Sequence, residues 1–105
     1  MNQYDIVLVN LDPTVGSEIQ KTRPCVIVSP DEINHNLQAI VVCPMTTSTR
    51  KYPTRVAVIH HGKSGHVAID QIRTIDKRRI IKILGTLSKK EIEEVKSIIK
   101  ETFVD

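Results

Sequence analysis

Aromatic side chains are scarce in this 105-residue chain: tryptophan is absent, and only Tyr4, Tyr52 and Phe103 occur. That is too few for the extended stacking platform many single-strand binders use, so a bound nucleic acid would rest mainly on backbone and polar contacts. Cysteine is equally sparse. Cys25 and Cys43 both fall inside apolar runs, where a reduced, buried thiol behaves as a small hydrophobe. Neither they nor the four histidines have the spacing of a zinc site. We expect no metal and no other cofactor. No apolar run approaches the ~20 residues of a membrane helix. The opening Met-Asn-Gln-Tyr-Asp has neither the basic nor the apolar region of a secretory signal, so the expected compartment is the cytoplasm. The length corresponds to one domain over residues 1–105.

Basic charge is present and concentrated. Residues 1–50 hold three Lys/Arg against five Asp/Glu, residues 51–88 eight against two, and residues 89–105 four against five. A basic middle block suits an anionic partner, and nucleic acid is the commonest.

Short apolar runs dominate the chain as far as Gly85. Strands are expected over Ile6–Leu11, Pro24–Pro30, Ala39–Pro44, Arg55–Ile59, His66–Asp70 and Ile80–Gly85, with Gln71–Ile75 continuing the fifth or bending away. Asp31–Asn36 is polar turn material with room for one helical turn. His60–Gly65 and Asp76–Arg79 are turns. Ser88-Lys-Lys-Glu91 then forms a capping box, with Leu87 and Ile92 placed as a hydrophobic staple. Ile92, Val95, Ile98, Ile99 and Phe103 recur at helical spacing and make one apolar face. The expected architecture is a mainly β domain, a small barrel or sandwich over residues 4–85, with a C-terminal helix over 89–103.

The connection from Leu11 to Pro24 spans fourteen residues, where about 4–6 are usual. It ends in Arg23, a fixed cation, followed by the stiff Pro24. If the second and third strands form a hairpin centred on residues 31–38, paired numbers add to about 69, and Arg23 falls opposite Thr46. The long connection and the hydroxyl-rich Thr46–Lys51 loop then converge. The arginine fork suits phosphate oxygens, and threonine hydroxyls donate to them. Arg73 to Arg79 add a second basic segment.

Leu11-Asp-Pro-Thr-Val-Gly-Ser-Glu…Lys-Thr-Arg-Pro24, Cys43-Pro-Met-Thr46 and Asp70-Gln-Ile-Arg-Thr-Ile-Asp76-Lys-Arg-Arg79 together resemble the MazF/PemK (Kid) family of toxin endoribonucleases. The resemblance is ordered and runs from Tyr4 to Gly85. It implies a small SH3-like barrel of the CcdB/PemK type, a homodimer, and metal-independent, sequence-specific cutting of single-stranded RNA that leaves a 2′,3′-cyclic phosphate and a 5′-hydroxyl. It also implies an antitoxin protein that covers the RNA groove. By position it makes Arg23 and Thr46 the essential pair, Arg73 a third catalytic group, and Asp76 a candidate base. Where some members have a histidine in the first loop, this chain has Ser17.

Arginine is suited to stabilising a phosphorane and unsuited to proton abstraction, because its pKa lies above about 12. Thr46 is read as a positioner. Further RNA contacts are expected from Ser17, Glu18, Gln20 and Lys21, with residues Ser17–Thr22 forming a mobile lid. Thr47, Ser48, Arg50, Lys51, Tyr52 and Gln71 complete the expected groove, and Arg55 would track phosphates with Arg50 and Lys51. Histidine is a natural general acid or base near neutral pH, so His60, His61 and His66 in one cluster and His35 in another turn offer a two-histidine ribonuclease as the alternative; we read them as solvated turn residues, which with Lys63 could still touch RNA. Two other functions fit the same fold class: a gyrase poison like CcdB, working through protein contacts, and a noncatalytic RNA-binding barrel.

Overall fold

Strands β1 (Asp5–Asn10), β2 (Thr22–Ile27) and β3 (Ala39–Thr46) carry consecutive apolar residues because both of their faces are covered. In this computed structural model, which describes residues 1–11, 22–47 and 52–104, alternate side chains enter two separate clusters. Ile6, Val26 and Cys43 face one way and join Val56, Val58, Val67, Ile69, Leu87 and Val95 in the main core. Val7, Val9, Cys25, Ile27, Ile40, Val42 and Ile75 face the other way, with Met1, Leu11 and Ile80 against them. The period of two in strands produces this division.

The remaining strands are β4 (Arg55–His60), β5 (Lys63–Ala68), β6 (Arg73–Asp76) and β7 (Ile80–Thr86). The helices are α1 (Asp31–Asn36) and α2 (Lys89–Phe103). The strand order is β4-β5-β3-β2-β1-β7, with β6 also on β3, and every pairing is antiparallel. β4 and β7 stand at the two ends of that order, yet the His60 side chain lies close against Gly85. A Cβ built on Gly85 of β7 would lie 3.1 Å from Cε1 of His60 on β4. The sheet therefore curls into a partly closed barrel, and α2 packs against β4 with Val95 wholly inside the main core.

The β2–β3 hairpin has the expected register, since Cys25 pairs with Pro44, Val26 with Cys43 and Ile27 with Val42. The expected His60–Gly65 turn is too long. β4 runs to His60 and β5 begins at Lys63, opposite it. The turn is only His61-Gly62, with φ of 51° and 74°, both positive as a type I′ hairpin requires. Valine at position 62 would bring a β-branched side chain into the left-handed region at about 1–2 kcal/mol. For a domain of this size we expect Gly62→Val to lower Tm by about 5–10 °C; an unchanged calorimetric transition would contradict the turn.

The helix start is as read. Ser88 Oγ accepts from Glu91 N at 3.2 Å, and Glu91 Oε1 accepts from Ser88 N at 2.9 Å. Leu87 and Ile92 lie together in the main core as the staple. Glu91 does something the sequence did not suggest: its Oε2 accepts from Ile59 N at 2.9 Å, tying the helix to the β4 edge. Burial raises the Glu91 pKa, but the Ser88 and Ile59 backbone donors outweigh it and leave it below the ordinary value. The folded value is thus below the unfolded one. This stabilisation is full above about pH 4.3 and is lost as pH falls through the folded value. We expect Glu91→Gln to cost about 1 kcal/mol at pH 7, and the gap in urea unfolding to narrow at pH 3.

No helix among the described residues is long and apolar enough to cross a membrane.

Candidate active site

Extending the β2–β3 register two residues past Cys25–Pro44 sets Arg23 opposite Thr46. On its other edge β3 pairs with β5, Met45 with Val67 and Thr46 with His66. Opposed residues project on the same face. Met45 and Val67 enter the main core, so their neighbours Thr46 and His66 project on the opposite side. Arg23, Thr46 and His66 form a row across three strands. β6 continues along that edge of β3 and places Arg73 opposite Val42. Arg73 therefore shares the face, four residues from Thr46 along β3, or about 13 Å.

Both arginines are exposed, and both act on the same neighbour. Burial pushes the Cys25 thiol up to about 12, while the positive charges of Arg23 and Arg73 pull it the other way. Both guanidiniums thus lie within electrostatic reach of Cys25. Its thiol donates to the Arg23 carbonyl at 3.6 Å and stays protonated near neutral pH. Among the described residues no hydrogen bond or ion pair engages the Arg23 or Arg73 guanidinium. Two exposed arginine forks thus share the face that carries Thr46, and such forks suit the oxygens of a phosphodiester.

Asp76 is not brought to this site. It pairs with Ala39 at the far end of β3, seven residues or about 23 Å from Thr46. Its carboxylate accepts from Arg78 Nε at 3.1 Å, Arg78 NH2 at 3.0 Å, Arg78 N at 2.8 Å and Gln38 Nε2 at 3.3 Å. The Arg78 hydrogen bonds hold its pKa far below the carboxylate range. It caps the 3₁₀ turn Lys77–Arg79 and is a poor proton acceptor at neutral pH. Arg55 also departs from its expected role, because its guanidinium is held by Asp70, Nε to Oδ1 at 2.9 Å.

Thr47 is exposed beyond Thr46, and Gln71 is exposed on the 3₁₀ turn that precedes Arg73. Tyr52 is exposed near the β4 start, with the Arg55 guanidinium 5.0 Å from its ring centroid. Behind Thr46 a cleft of about 150 Å³ is lined by Pro24, Met45, Thr46, Thr47, His60, Lys63, Ser64 and Gly65. His60 is drawn into the barrel end: desolvation and then His61 lower its pKa, against the opposing Glu91 charge. Ser17, Glu18, Gln20 and Lys21, and Ser48, Arg50 and Lys51, lie outside the described residues. His66, which the sequence offered only as one of several histidines, is the one that the fold brings into this row. Its place in the row follows from the β3–β5 pairing, which joins residues twenty apart and leaves no local signal.

A curled antiparallel sheet closed by a C-terminal helix defines the class: a small, mainly β half-barrel. Comparison with known proteins makes the assignment specific. Residues 2–103 match the family described as PemK-like, MazF-like toxin of type II toxin–antitoxin systems, and the chain belongs to that family. It is 32% identical over 94 residues to the endoribonuclease toxin MazF of Escherichia coli (strain K12), covering 89% of this chain and 85% of that protein. It is 33% identical over 105 residues to the endoribonuclease MazF of Staphylococcus saprophyticus, covering 94% and 88%. Its structure is similar to a chain of the MazE–MazF crystal structure (Form-II) from Deinococcus radiodurans, with a TM-score of 0.84, 28% identity, and 96% and 93% of the two chains covered.

Proposed function

We propose that this chain is an endoribonuclease toxin that cuts single-stranded RNA in the cytoplasm, works as a homodimer and is held inactive by a partner antitoxin. The family assignment supports the activity, and the structural likeness to a MazE–MazF complex supports the antitoxin. The observation that carries the site is the register that opposes Arg23 to Thr46.

In the proposed reaction a ribose 2′-hydroxyl attacks its own phosphorus. The P–O5′ bond breaks, giving a 2′,3′-cyclic phosphate and a 5′-hydroxyl. Arg23 donates to the non-bridging oxygens as charge builds on the phosphorane, where a fixed donor has its largest effect. The Thr46 hydroxyl orients the same phosphate. Arg73 supplies a second positive charge from the neighbouring strand and holds the RNA chain in line. Asp76 takes no part, being spent on Arg78.

Incubating a long single-stranded RNA with the purified protein in EDTA tests this. We expect discrete cuts whose upstream fragments carry cyclic phosphates. Intact RNA together with gyrase arrest would instead indicate a CcdB-like poison. RNA binding without cuts would indicate a noncatalytic barrel.

A further inference from the structure

We infer that His60 is a proton-operated latch on the seam of the barrel: neutral, its ring closes the end of β4 against β7; charged, it leaves the seam and takes the Glu91 carboxylate from the β4 edge. Three observations meet at this residue. Its Nε2 is shut off from solvent and has no hydrogen-bond partner among the described residues, although the residue as a whole is only half-buried. The ring fills the space that Gly85 leaves: a Cβ at position 85 would lie 3.1 Å from its Cε1 and 3.7 Å from its Nδ1. β4 and β7 stand at opposite ends of the strand order, so this contact joins strands that are not neighbours in the sheet.

The surroundings suit the neutral ring. An imidazolium carries a proton on both nitrogens, and here the Nε2 proton would be buried without an acceptor, which costs more for a charged group than for a neutral one. The groups that bear on the ring come from several elements. His61 shares the turn, with ring centroids 4.1 Å apart at 67°, and charge on one disfavours charge on the other. Lys63 is opposite on β5. From α2, Glu91 attracts the charged form, but both its oxygens are committed: Oε1 accepts from Ser88 N and Oε2 from Ile59 N, each at 2.9 Å. β7 presents Gly85, and β2 and β3 present Pro24, Met45, Thr46 and Thr47 round the cleft that His60 shares with them. Desolvation and then His61, against Glu91, leave the folded pKa of His60 below the unfolded value. The latch therefore contributes fully above about pH 6.5, and its contribution is lost as pH falls through the folded value. Ile59 N, next to His60 in the chain, is the donor that the imidazolium displaces from Glu91. Losing both contacts loosens the barrel wall behind Thr46.

Amide hydrogen exchange on the intact protein reads the latch without any RNA. Exchange at Ile59 N is followed by NMR between about pH 8 and 5, where histidine changes charge, corrected for the intrinsic pH dependence of exchange and run beside a titration of the His60 ring. Glu91 stays ionised over that range, because its folded pKa lies below the ordinary value. We expect protection at Ile59 to fall by about tenfold or more as His60 charges, the worth of a hydrogen bond to a charged group, while Val26 and Cys43 in the β2–β3 hairpin hold theirs. In His60→Phe, whose ring does not titrate, Ile59 should keep one level of protection throughout; His60→Gln serves the same purpose if the phenylalanine variant fails to fold. His61→Asn, which suits a positive φ, should keep the wild-type fall. Protection at Ile59 that stays flat in the wild type, or falls equally in the His60 variants, would overturn the latch. So would a fall that His61→Asn abolishes and His60→Phe retains, since the proton then acts at His61. None of these outcomes touches the ribonuclease reading, which stands on Arg23 and Thr46.

Discussion

Replacing Arg23 by alanine is expected to slow single-turnover RNA cleavage by about 10²–10³-fold, the loss typical of removing one donor aimed at developing charge. The expectation follows from position. Arg23 extends the β2–β3 register to a place opposite Thr46, and no group among the described residues engages its guanidinium. Arg23→Lys should recover only part of the rate, because a flexible ammonium keeps the charge and loses the planar fork. Neither change should move Tm appreciably, since an exposed side chain away from caps and core contributes within about 0.5 kcal/mol. A variant that melts like the wild type and cuts far more slowly isolates the chemical role.

Val95→Asp carries the largest expected effect on stability. Val95 has no exposed surface and lies in the main core with Ile6, Val26, Cys43 and Val67. A carboxyl there resists ionisation, and fully buried acids shift by up to ~3–5 pH units. At about 1.36 kcal/mol per unit the cost at pH 7, about three units above the unfolded value, is about 4 kcal/mol. That is comparable to the ~5–15 kcal/mol total stability of a domain. The folded pKa would be raised, so the unfolded chain gives up its proton first as pH rises. Stability of the variant should therefore fall steadily from about pH 3.9 upward, in denaturant titrations read against the wild type. A wild-type midpoint at pH 7 would mean α2 does not seal this core. The consequence reaches the candidate site, because Met45 and Val67 pack on the same core while their neighbours Thr46 and His66 face the opposite side.

Much of this was legible in local chemistry. Consecutive apolar residues at Ile6-Val7 and Cys25-Val26-Ile27 announce strands covered on both faces, and the structure has a core on each side of them. The Ser88–Glu91 box marks the start of α2. The hairpin across residues 31–38 set Arg23 against Thr46 because a short antiparallel connection constrains register. What escaped reading was long-range or conformational. His61 at positive φ made a two-residue turn where glycine spacing suggested a longer one, and this shifts Lys63, Ser64 and Gly65 into β5. The β3–β5 pairing then carries His66 to Thr46. Asp76 and Arg55 kept their charge but not their expected tasks, because each found a partner, Arg78 and Asp70, close enough to hold it.

The central claim is that Arg23 and Thr46 act together on one phosphate. A double-mutant cycle tests it most directly: single-turnover cleavage of one mapped RNA site by the wild type, Arg23→Ala, Thr46→Val and the double variant. Groups acting on the same phosphate are strongly non-additive. Each single variant should therefore lose most of the rate, and the double variant should be slower than the worse single by no more than about tenfold. Single variants that both cut the same bonds at the wild-type rate would contradict the assignment.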